Sequence, residues 1–167
     1  NGDELWVAGD AGLIGHSLDG GQNWSMVNKA PSVPLYSIKQ LNTNTFYAAG
    51  FSGGFIKTTD GGHNWKGGYI VVNGKSPKVT EIFFVNENVG YAARGFNQVC
   101  KTTDGGETWF AVIKDSMATN LTFNGISFLD ENNGFVVGRS GNSMLKTTDG
   151  GTTWSNVVNG AGVDLND

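Results

Sequence analysis

Thr102-Thr-Asp-Gly-Gly-Glu-Thr-Trp109 decides the fold, because the chain spells nearly the same eight residues four times. The other copies are Ser17-Leu-Asp-Gly-Gly-Gln-Asn-Trp24, Thr58-Thr-Asp-Gly-Gly-His-Asn-Trp65 and Thr147-Thr-Asp-Gly-Gly-Thr-Thr-Trp154. Their aspartates, Asp19, Asp60, Asp104 and Asp149, recur at intervals of roughly 40–45 residues, the period of a propeller blade. A lysine precedes three of the copies, at Lys57, Lys101 and Lys146. The paired glycines supply backbone conformations with φ > 0 that other residues resist. The aspartate can accept hydrogen bonds from its own turn, with the Ser or Thr two residues earlier in the same network. The tryptophan is expected to return as a buried plug at the start of the next strand.

Working outward, each copy sits among short apolar runs that alternate with period two. The last repeat reads as strands over Phe123–Leu129, Phe135–Gly138, Ser143–Thr148 and Thr153–Val158. The third gives Val79–Val85, Tyr91–Arg94, Val99–Thr103 and Thr108–Ile113, and the second Leu35–Leu41, Phe46–Gly50, Phe55–Thr59 and Asn64–Val71. Four antiparallel strands per period define an all-β propeller, with one four-stranded blade per repeat. The repeats run approximately over 1–30 (partial), 31–73, 74–116 and 117–160 of a single region. The first begins part-way, at strands over Glu4–Gly9, Leu13–Leu18 and Asn23–Val27. The reading is therefore an arc or fragment of a larger propeller, with further blades or another chain covering its open ends.

Composition narrows the function classes. Glycine is abundant, 26 residues against 3 prolines, yet 38% hydrophobic and 11% aromatic content exclude disorder. Charged residues make up only 16% of the chain, which suits an extracellular, cell-surface or periplasmic domain. The net charge of −4 and the scattered basic residues leave no stripe for nucleic acid. No apolar run is long enough to span a membrane as a helix. The lone Cys100 reads as a small buried hydrophobe, in an apolar position that the other repeats fill with Ile14, Phe55 or similar residues.

Four equivalent aspartates spread one per blade cannot converge on a substrate atom, so they read as structural, together with Trp24, Trp65, Trp109 and Trp154. One carboxylate per turn also falls short of what calcium takes, and His16 and His63 lack metal-ligand spacing. No metal or cofactor is expected. Glu81 is the one acid on an innermost strand, where the other repeats have Ser37 and Gly125, and it has no partner carboxylate at the matching positions. Asn120-Leu-Thr122 and Asn23-Trp-Ser25 match the glycosylation sequon.

The pattern S/T-x-D-G-G-x-x-W resembles the Asp box, or BNR repeat, of sialidases, some endoglucanases, sortilin-type receptors and photosystem II assembly factors. The longer pattern, Ile126-Ser-Phe-Leu-Asp-Glu-Asn-Asn-Gly-Phe-Val-Val-Gly138 followed by Lys146-Thr-Thr-Asp-Gly-Gly-Thr-Thr-Trp154, is similar to the Ycf48/Hcf136-type propeller group over nearly the whole chain. The resemblance implies the fold and leaves function open. A sialidase-like site needs an arginine triad, and this chain has only Arg94 and Arg139. The endoglucanase cleft lies between two complete propellers. The assembly factors' arginine-rich surface is matched at most by those two arginines, so the photosystem role ranks below the other readings.

The expected function is therefore a non-catalytic binding or assembly scaffold, engaging a protein or glycan partner through the loop face opposite the aspartate turns. The alternative is a module of a carbohydrate-active enzyme whose catalytic residues lie elsewhere. On the loop face, Phe51 and Phe96 beside Arg94 and Arg139 are the expected binding residues, an aromatic and cationic surface.

Overall fold

The two-residue alternation folds into antiparallel sheets arranged one per repeat. The computed structural model describes residues 3–28, 32–95, 98–113, 122–139 and 144–157. The first sheet holds β1 (Leu5–Ala8), β2 (Leu13–Ser17) and β3 (Ser25–Asn28). The second holds β4 (Leu35–Gln40), β5 (Phe46–Gly50), β6 (Gly54–Thr58) and β7 (Lys66–Tyr69). The third holds β8 (Val79–Phe84), β9 (Gly90–Arg94), β10 (Gln98–Thr102) and β11 (Phe110–Ile113). The fourth holds β12 (Thr122–Phe128), β13 (Gly134–Arg139), β14 (Met144–Thr147) and β15 (Ser155–Asn156). Strands pair in chain order within every sheet, as in a propeller blade.

Blades meet through their inner strands, β4 against β8 and β8 against β12. Strand β1 touches β4 as β5 touches β8 and β9 touches β12, so β1 is the second strand of its blade. Among the described residues the first blade has no counterpart of β4, β8 and β12, and the edge residues Leu5 and Val7 are exposed.

The core is divided among the joints between blades. Ile14 packs with Leu35, Ala48 and Ile56 at the first joint. Tyr47, Phe55 and Ile70 pack with Ile82, Phe84 and Trp109 at the second, and Tyr91, Val99 and Ile113 with Phe123, Phe128 and Leu145 at the third. An aromatic stack crosses two joints at equivalent positions: Tyr47 on Phe84 at 3.5 Å and Tyr91 on Phe128 at 3.7 Å. Phe84 and Phe128 face Gly90 and Gly134, where an added Cβ would meet the rings at 2.6 and 2.4 Å. The second blade reverses the pair, with Gln40 opposite Phe46, and Phe46 packs against Trp6 instead. Cys100 lies opposite Ala92 just as Ile56 lies opposite Ala48, so its counterpart is Ile56 rather than Phe55. It is fully buried, and burial pushes its thiol pKa up.

The four Asp-Gly-Gly turns share one geometry. Each aspartate Oδ1 accepts the backbone N–H four residues on, from Asn23, Asn64, Thr108 and Thr153, at 2.8–2.9 Å. Its Oδ2 accepts that residue's side chain. The hydroxyls of Ser17, Thr58, Thr102 and Thr147 donate to Oδ1 and accept the N–H of the second glycine. Each tryptophan closes the turn by donating Nε1–H to that glycine's carbonyl at 2.9–3.1 Å. Of the four turn tryptophans only Trp109 is buried; Trp24, Trp65 and Trp154 are half-buried just ahead of the outer strand.

These turns also seat the joints. The second glycine of one turn lies under an apolar side chain of the preceding blade: Gly62 under Trp6, Gly106 under Phe55 and Gly151 under Val112. Lys57 and Lys101 reach forward to the carbonyls of Gly105 and Gly150, at 2.9 and 2.8 Å. The first joint has His16 at that position, stacked on Trp6 at 3.8 Å, with both rings bonded to Glu4. Lys146 lies over the Phe135 ring.

The turn hydrogen bonds stabilise the ionised carboxylates and hold all four aspartates at a pKa of about 2, below the ordinary aspartate range. For Asp19 and Asp60 the first cause is the backbone N–H of Asn23 and Asn64; for Asp104 and Asp149 it is the Thr108 and Thr153 side chains. The folded pKa is lower than the unfolded value of about 4, so this stabilisation is complete above that value and is lost as pH falls toward 2. Acid titration followed by tryptophan fluorescence should show unfolding concentrated in that window. An Asp104→Asn variant should show a smaller loss of stability across it.

Candidate functional site

Each blade has two ends. The Asp-Gly-Gly turns share one end with the turns between first and second strands, joined by Gly61 N–H to Asn44 O and Gly105 N–H to Asn88 O. The links between blades occupy the other end with the short 3-10 turns Asp10–Gly12 and Phe51–Gly53. On this link face Leu35 N–H bonds Gly9 O, Phe51 N–H bonds Pro34 O and Gly95 N–H bonds Lys78 O. It is also where the repeats diverge most in sequence.

The structure separates the residues expected to bind. Phe51 is 49% exposed in its turn. Arg94 is fully buried: its Nη2 donates to Lys75 O at 2.9 Å and its Nη1 contacts Cys100 Sγ at 3.2 Å. Its Nε has no hydrogen-bond partner. Arg94 is thus an internal anchor for the link between the second and third blades, and the expectation of a surface cation there is corrected. Residues such as Lys and Arg are almost never fully buried unless paired, and among the described residues no carboxylate pairs with Arg94, which makes its burial costly. Phe96 lies outside the described residues. Arg139 closes β13, and its side chain lies outside them too.

What the link face does assemble lies on the second blade. Tyr36, Phe51, Tyr69 and Val71 are each about half exposed, at 49–53%. The pairings Leu35 with Gly50 and Gly54 with Tyr69 place all four at the same end of that blade. Tyr36 is the extra residue of a β-bulge between Leu35 and Ser37, which turns its ring out of the alternating pattern. Thr80 and Asn124 occupy the equivalent bulges, and Thr80 instead donates to Phe123 O of the next blade. Gly95 stands where the second blade has Phe51, and the buried Ile113 where it has Tyr69. The patch belongs to one blade. Its place on the loop face gave Phe51; Tyr36 sits at a bulge, and Tyr69 is exposed on a regularly paired strand between half-buried Gly68 and buried Ile70.

Glu81 has structural partners. It pairs with Lys39 at 2.7 Å and accepts the Ile126 N–H at 3.1 Å, tying three adjacent inner strands. Ser37 Oγ accepts the Ile82 N–H from the same position in the second blade. Asn23 of the nominal sequon spends its amide on Asp19 at 2.7 Å, while Asn120 lies outside the described residues. His63 bonds its own turn at Asp60 O. Among the described residues, no cluster of three or more His, Cys, Asp or Glu side chains could hold a metal, and no helix is long and apolar enough to cross a membrane.

The sheets, joints and turns define a β-propeller scaffold with a variable link face. Within that class, residues 1–73 and 69–161 match the model of the photosystem II assembly factor YCF48 family, and the chain belongs to that family. It is 43% identical over 68 residues to the photosystem II assembly lipoprotein Ycf48 of Synechococcus sp. (strain CC9902), a match covering 39% of this chain and 20% of the relative. The chain thus matches about a fifth of that relative's length. Among solved structures, YCF48 bound to D1 peptide superposes over 95% of this chain and 79% of its own, with a TM-score of 0.60 at 14% identity. The GH74 enzyme of Niastella koreensis superposes over 96% of this chain and 29% of its own, with a TM-score of 0.69 at 20% identity. At such identities both superpositions show the shared fold.

Proposed function

We propose that this chain is a non-catalytic docking scaffold of the assembly-factor type, holding a segment of a partner protein against the link face of its second blade. The carrying observation is the group of four half-exposed apolar side chains, Tyr36, Phe51, Tyr69 and Val71, at one end of one blade. Aromatic residues on a rigid scaffold supply the contact area that anchors protein interfaces. Family membership and the solved relative bound to a D1 peptide favour a polypeptide as the occupant. The lipoprotein relative favours action outside the cytoplasm, at a membrane surface or in a periplasm-like space. The engagement of Glu81 by Lys39 and the Ile126 amide favours a structural task for the inner-strand acid.

Hydrogen exchange of the chain with and without a D1 peptide tests the reading. Protection is expected at residues 35–37, 50–53 and 69–72. The Tyr36→Ser/Phe51→Ser variant should bind about tenfold or more weakly, since each lost anchor costs on the order of 1–2 kcal/mol. Protection confined to the Asp-Gly-Gly end, or unchanged affinity in a folded variant, would refute it.

A further inference from the structure

The outer rim of the joint between the second and third blades carries a notch beside Gly68. The blades have Val27, Gly68, Val112 and Val157 at one equivalent position, three residues after the turn tryptophan. At the third joint Val112 covers Gly151 of the next turn. At the second joint the residue is Gly68, and an added Cβ there would meet nothing within 4 Å. A valine would fit, so the fold forgoes burying a branched side chain at this point. A glycine inside a strand often marks a bulge, a tight bend or a close approach by a ligand or backbone, and β7 pairs with β6 without a bulge here.

The space left open is a notch of about 130 Å³, lined by Phe55, Lys57, Lys66, Gly68, Tyr69 and Glu107. That compares with the cavity of ~150 Å³ that accommodates a benzene ring, so it suits one six-membered ring. Two ammoniums there share one carboxylate, and all three groups are engaged. Lys66 holds both Glu107 oxygens at 2.7 Å, while Lys57 lies 3.5 Å from Glu107 and donates to Gly105 O at 2.9 Å. An ion of either sign would lie against a like charge, Glu107 for an anion and Lys57 and Lys66 for a cation. A neutral ligand can use the spare ammonium hydrogens and carboxylate lone pairs instead. Tyr69, 53% exposed, adds an aromatic surface at the mouth.

We propose that this rim notch binds a neutral sugar ring, with hydroxyls on the Lys57–Glu107–Lys66 cluster and an apolar ring face toward Tyr69 and Phe55. The site lies on the outer strand and shares only Tyr69 with the proposed peptide surface. Titration of the 15N-labelled chain with neutral tetrasaccharides of glucose, xylose and N-acetylglucosamine provides the test. One of them should shift the amides of Gly67, Gly68, Tyr69 and Glu107. Gly68→Val should weaken binding about tenfold or more while the melting temperature stays level or rises, and Tyr69→Ala should weaken it with the fold intact. The proposal is overturned if no tetrasaccharide shifts these amides, if Gly68→Val binds as well as the parent, or if the D1 peptide shifts the amides of Gly67, Gly68 and Glu107 in the sugars' place.

Discussion

Gly106→Ala should lower the unfolding free energy by about 2–5 kcal/mol, through overpacking on top of a left-handed backbone. Gly106 has a φ of +93°, and an added Cβ would lie 2.6 Å from the Phe55 ring. The ring cannot retreat freely, since Phe55 also meets Trp109 edge-on at 5.7 Å and lies 6.3 Å from Phe84. Gly74→Ala is the control: its φ is +72°, and nothing lies within 4 Å of the added carbon. That variant should lose only the conformational part, about 1–2 kcal/mol. Denaturant midpoints of the two variants, read with equal m-values, decide the matter. Equal losses would mean that the glycine serves its own turn and not the joint.

Trp109→Ala should cost about 3–5 kcal/mol, the usual range for removing a buried aromatic side chain. Trp109 is 8% exposed, packs edge-on against Phe55 and Phe84, and bonds the Gly106 carbonyl. Trp24→Ala should cost less, because that indole is only half-buried. Gly106 and Trp109 share Phe55 as a neighbour, so combining their substitutions should fall short of the sum of the single losses. Stability in a stack of repeats resides largely in such joints. Hydrogen exchange should accordingly show the Trp109→Ala loss in the second and third blades ahead of β14.

Much of this was legible because the repeat writes the same physics four times. The Asp-Gly-Gly turn and the strand order follow from local pattern and period alone. Arg94 was misplaced because position puts it at a strand end on the loop face. Its burial depends on the Lys75 carbonyl, held by a link whose path no local rule specifies. Cys100 was assigned one residue out of register for a similar reason, since two adjacent apolar positions look alike until their partners, Ala92 and Ala93, are known. Tyr36 escaped notice because a bulge changes which way a residue faces without changing composition. The Gly68 notch was invisible for the opposite reason: it is a missing side chain, meaningful only against the valines of the other blades.

The forward reach of Lys57 and Lys101 gives the stack a polarity. The second and third blades offer an ammonium and an apolar side chain forward, and the third and fourth meet them with a glycine carbonyl and a bare glycine. The two sides complement each other and neither complements itself. A two-fold dimer sets like surface against like, so these faces are unsuited to it. Copies that meet through them must do so head to tail, every blade facing the same way round. An inserted repeat would likewise be accepted in only one orientation, and each insertion would add one more joint of the same hand.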